Sequence, residues 1–348
     1  MRDKQKRKFL KTKLHVDFEI FKDNRNLVQK LIKQKKGNYI KNKLQENMKN
    51  PKELWKTLKG LGTSSKQGNN RKICLEQGGE IMHDNKSNAN CFKSYFSDLA
   101  TNLVSKLPKA KGIYGDKWIE KYYQNQNIPK NSFDLKEVTE DQIFEIISTI
   151  DTKKACGIDN IQGRFLKDGA EILKKPLCKI ANLSLRSRFP SKCKTAKLKP
   201  IFKKGLTVQP KNYRPISLLP LISKIIERIV HNQLQSHLDI YDILYKNQSG
   251  FRSKHSANTC LSHLTNQILK GFETNKSTGM ILIDLQKAFD TLDHEILIKK
   301  LSYFGFTQST IEWFESYLTN RNFFVNIEDT LSDTGVLNCG VPQGSILG

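Results

Sequence analysis

The sequence predicts an α+β protein in which helices back an antiparallel sheet. Apolar residues recur at helical spacing in several long stretches, for example residues 134–150 and 220–238. Short apolar runs of strand length stand between such stretches, among them residues 279–283 and 323–327. Strands separated by pairs of helices in this order suit a sheet with helices on one face.

Charge and hydropathy limit the partners of the chain. Its 348 residues contain 59 Lys and Arg against 34 Asp and Glu, which gives a net charge of +25. Such an excess suits a polyanion such as nucleic acid, although a basic surface can also serve solubility alone. Because no apolar run approaches the length of a bilayer span and no signal peptide opens the chain, we expect no membrane partner.

The cysteines carry no metal-binding pattern. Seven of them are scattered along the chain, and none forms a Cys-x-x-Cys pair or stands at zinc-finger spacing from a histidine. We interpret them as reduced thiols of an intracellular protein and expect no structural zinc.

The N-terminal stretch to about residue 62 is densely basic and has the spacing of a helix. Two interpretations stay open: an arm that lies along a nucleic-acid backbone, or a solvated helical linker. A break rich in Gly, Ser and Asn follows at residues 60–70. Beyond it, the pattern predicts a hairpin that turns at Gly78-Gly79 and then a helix that carries Phe92 and Phe96.

A capped helix and a glycine turn follow the linker. The spacing of the isoleucines predicts the helix over residues 134–150, and Thr139 with Gln142 forms a capping box at its start. The lysine pair at 153–154 stands beside Gly157, and we interpret this box as a structural turn.

The next elements predicted are a basic hairpin and a long amphipathic helix. Residues 197–219 contain two short apolar segments, with cations on them, that flank a polar loop. The helix occupies residues 220–238, and its apolar stripe is explained by core packing. Its histidines, His231 and His237, lack acidic or histidine partners at ligand spacing, and we expect them to face solvent.

A second glycine turn interrupts the helices at residues 248–252. We favour a core position for Phe251 and consider Arg252 a candidate contact for a backbone phosphate. The helix expected at residues 256–274 should turn four apolar residues inward, namely Leu261, Leu264, Ile268 and Leu269.

The stretch at residues 279–290 carries the strongest indication of chemistry. It begins with the length and β-branched content of a buried strand and ends in Asp284, after which Asp290 and Asp293 follow. A carboxylate delivered from the end of a strand suits a hard cation such as Mg²⁺. Taken alone, the stretch would be explained better by a strand that reaches the surface at an ordinary turn aspartate, because an apolar run followed by Asp is common.

The second chemical stretch is the loop at residues 340–348. Two glycines bracket a proline and a glutamine in it. Gly344 permits close approach of the backbone to a ligand, and Gln343 offers both an amide donor and a carbonyl acceptor. A Gly/Pro turn without function explains part of this pattern.

These stretches resemble the motifs of a known family. LIDLQKAFDTLDH and GVPQGSILG resemble motifs A and B of reverse transcriptases, most nearly those of non-LTR (LINE-type) retrotransposons of the jockey and CR1 sort. NYRPISLL resembles the fingers hairpin of the family, and QSGFR resembles its template-contacting box. The resemblance implies a helical N-terminal linker followed by the fingers and partial palm of a right-hand polymerase. The division would be a basic arm at 1–62, a linker at 63–132, fingers at 133–275 and partial palm at 276–348.

The resemblance also implies a metal site. Asp284 would bridge two Mg²⁺ ions with help from the Leu285 carbonyl, whereas Asp290 would orient its turn. We expect Asp284 near Gln343, and an Asp284 that faces bulk solvent would count against the polymerase interpretation.

Nucleotide contacts follow from the same resemblance. Lys203 and Arg214 would grip the triphosphate of a dNTP, and Phe289 would exclude a 2′-hydroxyl group. Gln343 would contact the sugar side of the nucleotide, and Gly344 would let the template base pair approach the backbone.

The implied macromolecular partners are an RNA template and a DNA primer or target. Arg252, Lys199 and Lys204 are the candidate contacts, and the resemblance does not decide between Lys203 and Lys204 for the triphosphate. An RNA-directed DNA polymerase of this kind would act in the nucleus or cytoplasm as a ribonucleoprotein.

The third signature of the family, an aromatic-Ala-Asp-Asp hairpin, is not found in the sequence, which contains no Asp-Asp dipeptide. Because one carboxylate cannot hold two divalent ions, we expect a truncated polymerase that does not polymerise as it stands. A non-catalytic nucleic-acid-binding remnant is the alternative from another class. A group II intron maturase or an RNA-copying RNA polymerase is the alternative within palm polymerases.

Overall fold

The computed structural model describes residues 2–48, 50, 53–54, 57, 72–104 and 132–348. The chain splits into two compact units, Met1–Lys72 and Ile73–Gly348. The predicted break at 60–70 and the linker residues 105–131 lie outside the described residues. The four domain boundaries stay predictions.

The first unit contains two basic helices, α1 (Arg2–Thr12) and α2 (His15–Asn47), as the helical spacing predicts. Asp17 is buried where they meet: it accepts a hydrogen bond from Thr12 Oγ1 at 2.5 Å and lies 2.8 Å from Lys8 Nζ. These contacts, led by the hydrogen bond from Lys8, lower the pKa of Asp17. The ion pair therefore joins the two helices.

The second unit contains the helices α3 to α10 and the strands β1 to β7. The helices are α3 (Asn85–Val104), α4 (Glu140–Ser148), α5 (Gly163–Asp168), α6 (Ala170–Arg186), α7 (Leu221–Ile240), α8 (Ala257–Glu273), α9 (His294–Tyr303) and α10 (Gln308–Leu318). The strands are β1 (Leu75–Gln77), β2 (Glu80–Met82), β3 (Ala196–Phe202), β4 (Tyr213–Leu218), β5 (Arg321–Ile327), β6 (Thr330–Leu331) and β7 (Gly335–Leu337). This confirms the α+β class.

The larger sheet is mixed, not antiparallel as expected. β3 pairs antiparallel with β4 and parallel with β5, and β5 pairs antiparallel with β6 and β7. The parallel pair arises because the chain reaches β5 through the helical half of the unit, not through a hairpin. One face of the sheet is covered by α3, where the Phe92 ring lies edge-on to Tyr213 with centroids 4.9 Å apart.

A second core lies among the helices. Trp313 on α10 stacks on Tyr317 with ring centroids 5.8 Å apart, and its Nε1 donates to Ser184 Oγ on α6 at 3.2 Å. Buried Trp and Tyr rings with a polar partner are favourable because the polar atom stays hydrogen-bonded. The predicted capping box of Thr139 and Gln142 is present at the start of α4.

Local patterns were confirmed at both turns. The hairpin β1–β2 turns at Gly78 and Gly79, which both have positive φ. Gly157 lies against the start of α7, where an added Cβ would come within 2.5 Å of the Pro220 nitrogen. Because only glycine fits there, the structural interpretation of that box is supported.

Burial was predicted less well than helix formation. His237 was expected to face solvent, yet it is 7 % exposed and lies against Phe133 and Phe306. Its pKa is lowered by burial. Thr307 caps α10, and its side chain accepts a hydrogen bond from Thr310 N.

The segment around α8 corrects two further expectations. α8 forms as predicted, but none of its residues is buried, and Leu261 and Leu269 are exposed instead of turned inward. Phe251, expected in the core, is 83 % exposed. A helical period identifies an apolar face, but burial requires an element that packs against it.

The predicted strand at residues 279–283 is wrong. Residues 277–285 have no regular structure, and Ile281, Leu282 and Ile283 are all exposed, Ile281 to 89 %. A strand must pair its backbone N–H and C=O groups with a neighbour. None of the described strands pairs with this stretch.

Candidate functional site

The two chemically suggestive stretches meet through their backbones. Gly340 N donates to Leu292 O at 2.7 Å, and Val341 N donates to Phe289 O at 2.8 Å. His294, in the first turn of α9, donates from Nε2 to Gly340 O at 2.7 Å. The turn at residues 286–291 therefore forms one unit with the start of the loop at 340–348.

Two glycines make this contact possible. Gly340 has φ +74°, and an added Cβ would lie 2.5 Å from Phe289 O and 2.8 Å from Asp290 O. Gly344 has φ +116°, and its Cβ would lie 2.9 Å from Ser217 O on β4. Both positions combine a left-handed backbone with close approach of another backbone, which only glycine allows without strain.

Gln343 is held from two sides. The side-chain Nε2 of Gln343 donates to Asp290 Oδ1 at 2.7 Å. The backbone carbonyl of Gln343 accepts a hydrogen bond from Ser217 N at 2.7 Å. Burial raises the pKa of Asp290, while the hydrogen bond from Gln343 and the charge of Lys287 oppose that rise. The orienting role expected for Asp290 therefore has a concrete contact. A cleft lined by Phe96, Pro215, Ser217, Asp290 and Gln343 lies here.

Lys287 is a residue that the sequence reasoning missed. Its Nζ lies 3.5 Å from Tyr213 O and 5.9 Å from the centre of the Tyr95 ring. Burial lowers its pKa, Asp290 raises it, and Lys203 and Arg214 lower it further. No local signal marks this position, because the Tyr213 carbonyl and the Tyr95 ring come from elements more than 70 residues away in sequence.

Three cations of the β3–β4 hairpin, Lys203, Lys204 and Arg214, lie near the loop that joins the two strands. Arg214 is paired across the strands with Ile201, and Lys203 N donates to Asn212 O at 2.8 Å to close the hairpin. Lys199 and Arg214 are exposed and, by strand alternation, lie on the face opposite Tyr213. Lys204 is also exposed.

The sequence comparisons agree with this arrangement. The sequence profile of a family described as reverse transcriptase (RNA-dependent DNA polymerase) matches residues 201–348. That span contains the hairpin cations, the turn at 286–291 and the loop at 340–348. Residues 201–348 belong to the reverse transcriptase family.

Relatives narrow the kind of reverse transcriptase. The chain is 32% identical over 304 residues to the probable RNA-directed DNA polymerase from transposon BS of Drosophila melanogaster, across 85% of this chain and 32% of that protein. It is 32% identical over 219 residues to the RNA-directed DNA polymerase from mobile element jockey of the same fly, across 62% of this chain and 24% of that protein. A third relative is the probable RNA-directed DNA polymerase from transposon X-element, 31% identical over 215 residues. The expected likeness to LINE-type reverse transcriptases is confirmed, and the chain spans about a third or less of these relatives.

Asp284 and Leu285 lie in the irregular stretch 277–285, where both side chains are exposed. The metal-binding roles expected of them stay predictions. A solvent-facing Asp284 was expected to count against the polymerase interpretation, and that criterion was wrong because the family is established independently of it. Burial of this aspartate needs strands to pair with its own, and the described strands do not provide them.

Arg252 and Phe289 are linked through Phe251, which precedes Arg252 in the sequence and brings its ring near that of Phe289. Arg252 Nη1 donates to Tyr245 O at 3.3 Å, and its Nη2 lies 3.9 Å from Asp242 Oδ1, so the guanidinium already has protein partners. The Phe289 ring is partly exposed, with its centroid 6.0 Å from that of Phe251.

A bound divalent metal needs several ligating side chains close together. Within the described ranges, no three His, Cys, Asp or Glu side chains come together as a metal site would require. Gln343 Nε2 donates to Asp290 Oδ1, and Asp284 is exposed in the stretch 277–285. The acids of the described residues therefore do not fit the two-ion site that polymerase chemistry needs. No helix among the described residues is long and apolar enough to cross a membrane.

Proposed function

We propose that this chain carries the nucleotide-binding part of an RNA-directed DNA polymerase, which copies retrotransposon RNA into DNA from dNTPs. The observation that supports this most directly is the convergence of Lys203, Arg214 and Lys287. Lys287 Nζ lies at the Tyr213 carbonyl, one residue from Arg214, and Lys203 closes the same end of the hairpin. Like charges repel, so such a group is best explained by an anionic ligand.

A nucleoside triphosphate suits this group of cations. The planar guanidinium of Arg214 can donate two parallel hydrogen bonds to phosphate oxygens, and each lysine adds a point charge. The electrostatic influence of Lys203 on Lys287 favours Lys203 over Lys204 as the triphosphate contact. Gln343 and Gly344 lie nearby on the loop that Ser217 anchors, where they would meet the nucleoside part.

Phe289 is proposed as the residue that excludes a 2′-hydroxyl group. Its backbone is fixed by the hydrogen bond to Val341, while part of its ring stays exposed. A fixed backbone with an exposed ring can act as a steric wall for a sugar. Replacement by a small residue should relax the preference for deoxynucleotides.

A metal site is proposed only where further carboxylates join Asp284. Reverse transcriptases use a divalent metal, and carboxylate oxygens favour Mg²⁺. Asp284 would supply one ligand, with the Leu285 carbonyl as a second. Because the acids of the described residues do not fit two ions, we expect no primer extension by the purified 348-residue polypeptide above a no-enzyme control.

RNA template and DNA primer are the proposed macromolecular partners. Lys199, Lys204 and Arg252 are the candidate backbone contacts, and binding should fall steeply with salt because counterions are released. A ribonucleoprotein in the nucleus or cytoplasm is the corresponding proposal for its location.

The test is equilibrium binding of dTTP and inorganic tripolyphosphate to the 348-residue chain at low salt. Arg214→Ala and Lys287→Ala should each weaken both ligands about tenfold, because a hydrogen bond to a charged group contributes ~1.5–3 kcal/mol. Lys270→Ala is the matched control, since Lys270 is exposed on α8, and it should bind like the wild type. Wild-type affinity in both test variants would overturn the proposal.

A non-catalytic nucleic-acid-binding protein is the second candidate. The net charge of +25, together with the absence of an acidic metal site from the described ranges, favours it. This candidate predicts strong, salt-sensitive binding of an RNA–DNA hybrid without binding of dTTP or tripolyphosphate. Binding of either triphosphate that depends on Arg214 would exclude it.

A further inference from the structure

Glu227 is a carboxylate in the helical core. It lies on the inner face of α7, 0 % exposed, among the buried residues Ile226, Ile229 and Val230. A carboxylate in such surroundings is costly unless hydrogen bonds or an opposite charge stabilise it. The groups that surround its two oxygens therefore indicate what the residue does.

Glu227 accepts hydrogen bonds from one hydroxyl and two backbone amides, and its charge also acts on the Lys224 ammonium and the Tyr317 hydroxyl. Oε1 accepts a hydrogen bond from Ser223 Oγ at 2.7 Å, one turn earlier on α7. Oε2 accepts from Ile346 N at 2.6 Å and from Leu347 N at 3.4 Å. Hydrogen bonds to an ionised acceptor are about twice as strong as neutral ones. Glu227 thus ties the loop at 340–348 to the middle of a core helix.

This tie is the last of several contacts along that loop. The start of the loop is held by the Gly340–Leu292 and Val341–Phe289 hydrogen bonds, and its centre by the Ser217–Gln343 and Gln343–Asp290 bonds. Ser345 N donates to Pro342 O at 3.0 Å, so residues 342–345 form a tight turn with Gln343 inside it. An anchor at Ile346 on the far side of the turn leaves Gln343 little freedom to move.

We propose that Glu227 is a positioning residue for nucleotide selection, which holds the Ile346 and Leu347 amides so that Gln343 keeps its place in the cleft, beside Asp290, where the nucleoside would bind. This inference rests on the function proposed above and extends it to a residue outside the cleft. The triphosphate cations stand on the hairpin and on Lys287, and Glu227 makes no hydrogen bond to them. Its loss should therefore affect the nucleoside part of the ligand and leave the phosphate part unchanged.

The chemistry of the site predicts which substitutions are tolerated. In Glu227→Gln, the amide oxygen can still accept from Ile346 N, and the amide group can donate to Ser223 Oγ, which then acts as acceptor. Glu227→Met keeps the volume but leaves the Ile346 and Leu347 amides without an acceptor. Rescue by glutamine and loss with methionine separate positioning from simple packing.

The experiment measures binding of dTTP and inorganic tripolyphosphate to the 348-residue chain. Glu227→Met should weaken dTTP about tenfold and change tripolyphosphate less than twofold, whereas Glu227→Gln should stay within threefold for both. Hydrogen exchange of a peptide that covers residues 340–348 should be faster in Glu227→Met than in the wild type. Glu273→Met, an exposed glutamate on α8, is the matched control and should match the wild type throughout.

Equal weakening of both ligands by Glu227→Met, or no weakening of dTTP, would overturn the inference. If that variant does not fold, Ser223→Ala serves instead, because it removes one of the three hydrogen bonds. It should weaken dTTP alone by two- to fivefold, and an unchanged dTTP affinity would overturn the inference. When Arg214→Ala weakens both ligands but the Glu227 variants do not behave as expected, only this inference fails. When Arg214→Ala leaves tripolyphosphate binding intact, the proposed function itself fails.

Discussion

Gly340→Ala should destabilise the second unit more than the size of one methyl group suggests. The substitution adds a Cβ at φ +74°, 2.5 Å from Phe289 O and 2.8 Å from Asp290 O. These atoms are backbone, so they cannot rotate away as the end of a side chain could. The new methyl group must push the turn at 286–291 away from the loop at 340–348.

The magnitude follows from two contributions. A non-glycine residue held in a left-handed conformation costs on the order of 1–3 kcal/mol. Forcing an extra carbon into a packed site costs about 1–3 kcal/mol more. Their sum, ~2–6 kcal/mol, is a large share of the roughly 5–15 kcal/mol by which domains are stable. The midpoint of thermal unfolding should fall by on the order of 5–15 °C.

The assay is thermal unfolding followed by circular dichroism, with hydrogen exchange of peptides that cover residues 286–292. Gly279→Ala is the matched control, because no atom lies within 4 Å of the Cβ it would add and its φ is not positive. That control should unfold within about 2 °C of the wild type, as surface substitutions usually do. A Gly340→Ala protein with the wild-type midpoint and unchanged exchange at 286–292 would refute the contact between the two segments.

Three further predictions concern single side chains. Thr139→Ala removes the capping box of α4 and should lower the free energy of unfolding by ~1 kcal/mol in a urea titration. Asp134 accepts hydrogen bonds from three hydroxyl groups, of which Thr307 contributes most to the lowering of its pKa. A carboxyl group whose pKa is lowered by folding stabilises the fold at pH values above its unfolded pKa of about 3.9, and this stabilisation is lost as the pH falls through the folded pKa. Asp134→Asn should therefore lower the free energy of unfolding at pH 7 and have less effect near pH 3. Burial raises the pKa of Cys193 to about 11, so at pH 8 a thiol reagent should modify the exposed Cys260 quickly and Cys193 only on unfolding.

Local pattern predicted the elements whose causes are local. The capping box at Thr139 needs only a hydroxyl and a glutamine three residues later, and both were visible in the sequence. The β3–β4 hairpin likewise follows from two apolar segments that flank a polar loop, and its cations fall where the pattern placed them. The helix that became α7 was identified from its apolar period.

Burial could not be predicted in the same way. An apolar stripe marked α8 as a helix, but burial of Leu261 and Leu269 depends on an element to cover them, which sequence period does not reveal. His237 shows the reverse error, since a polar residue on a helix can still be enclosed by rings from distant segments. The stretch before Asp284 has the composition of a strand, yet composition provides no partner for its backbone.

The sequence by itself determined the family, the α+β class and the two motif stretches, because these depend on residue types at short spacing. Only the tertiary structure decided which side chains act together. It brought Lys287 to the hairpin cations, joined Asp290 to Gln343 and tied Glu227 to Ile346, which is 119 residues further along the chain. Such contacts depend on how helices and strands pack in space, and no spacing along the sequence encodes them.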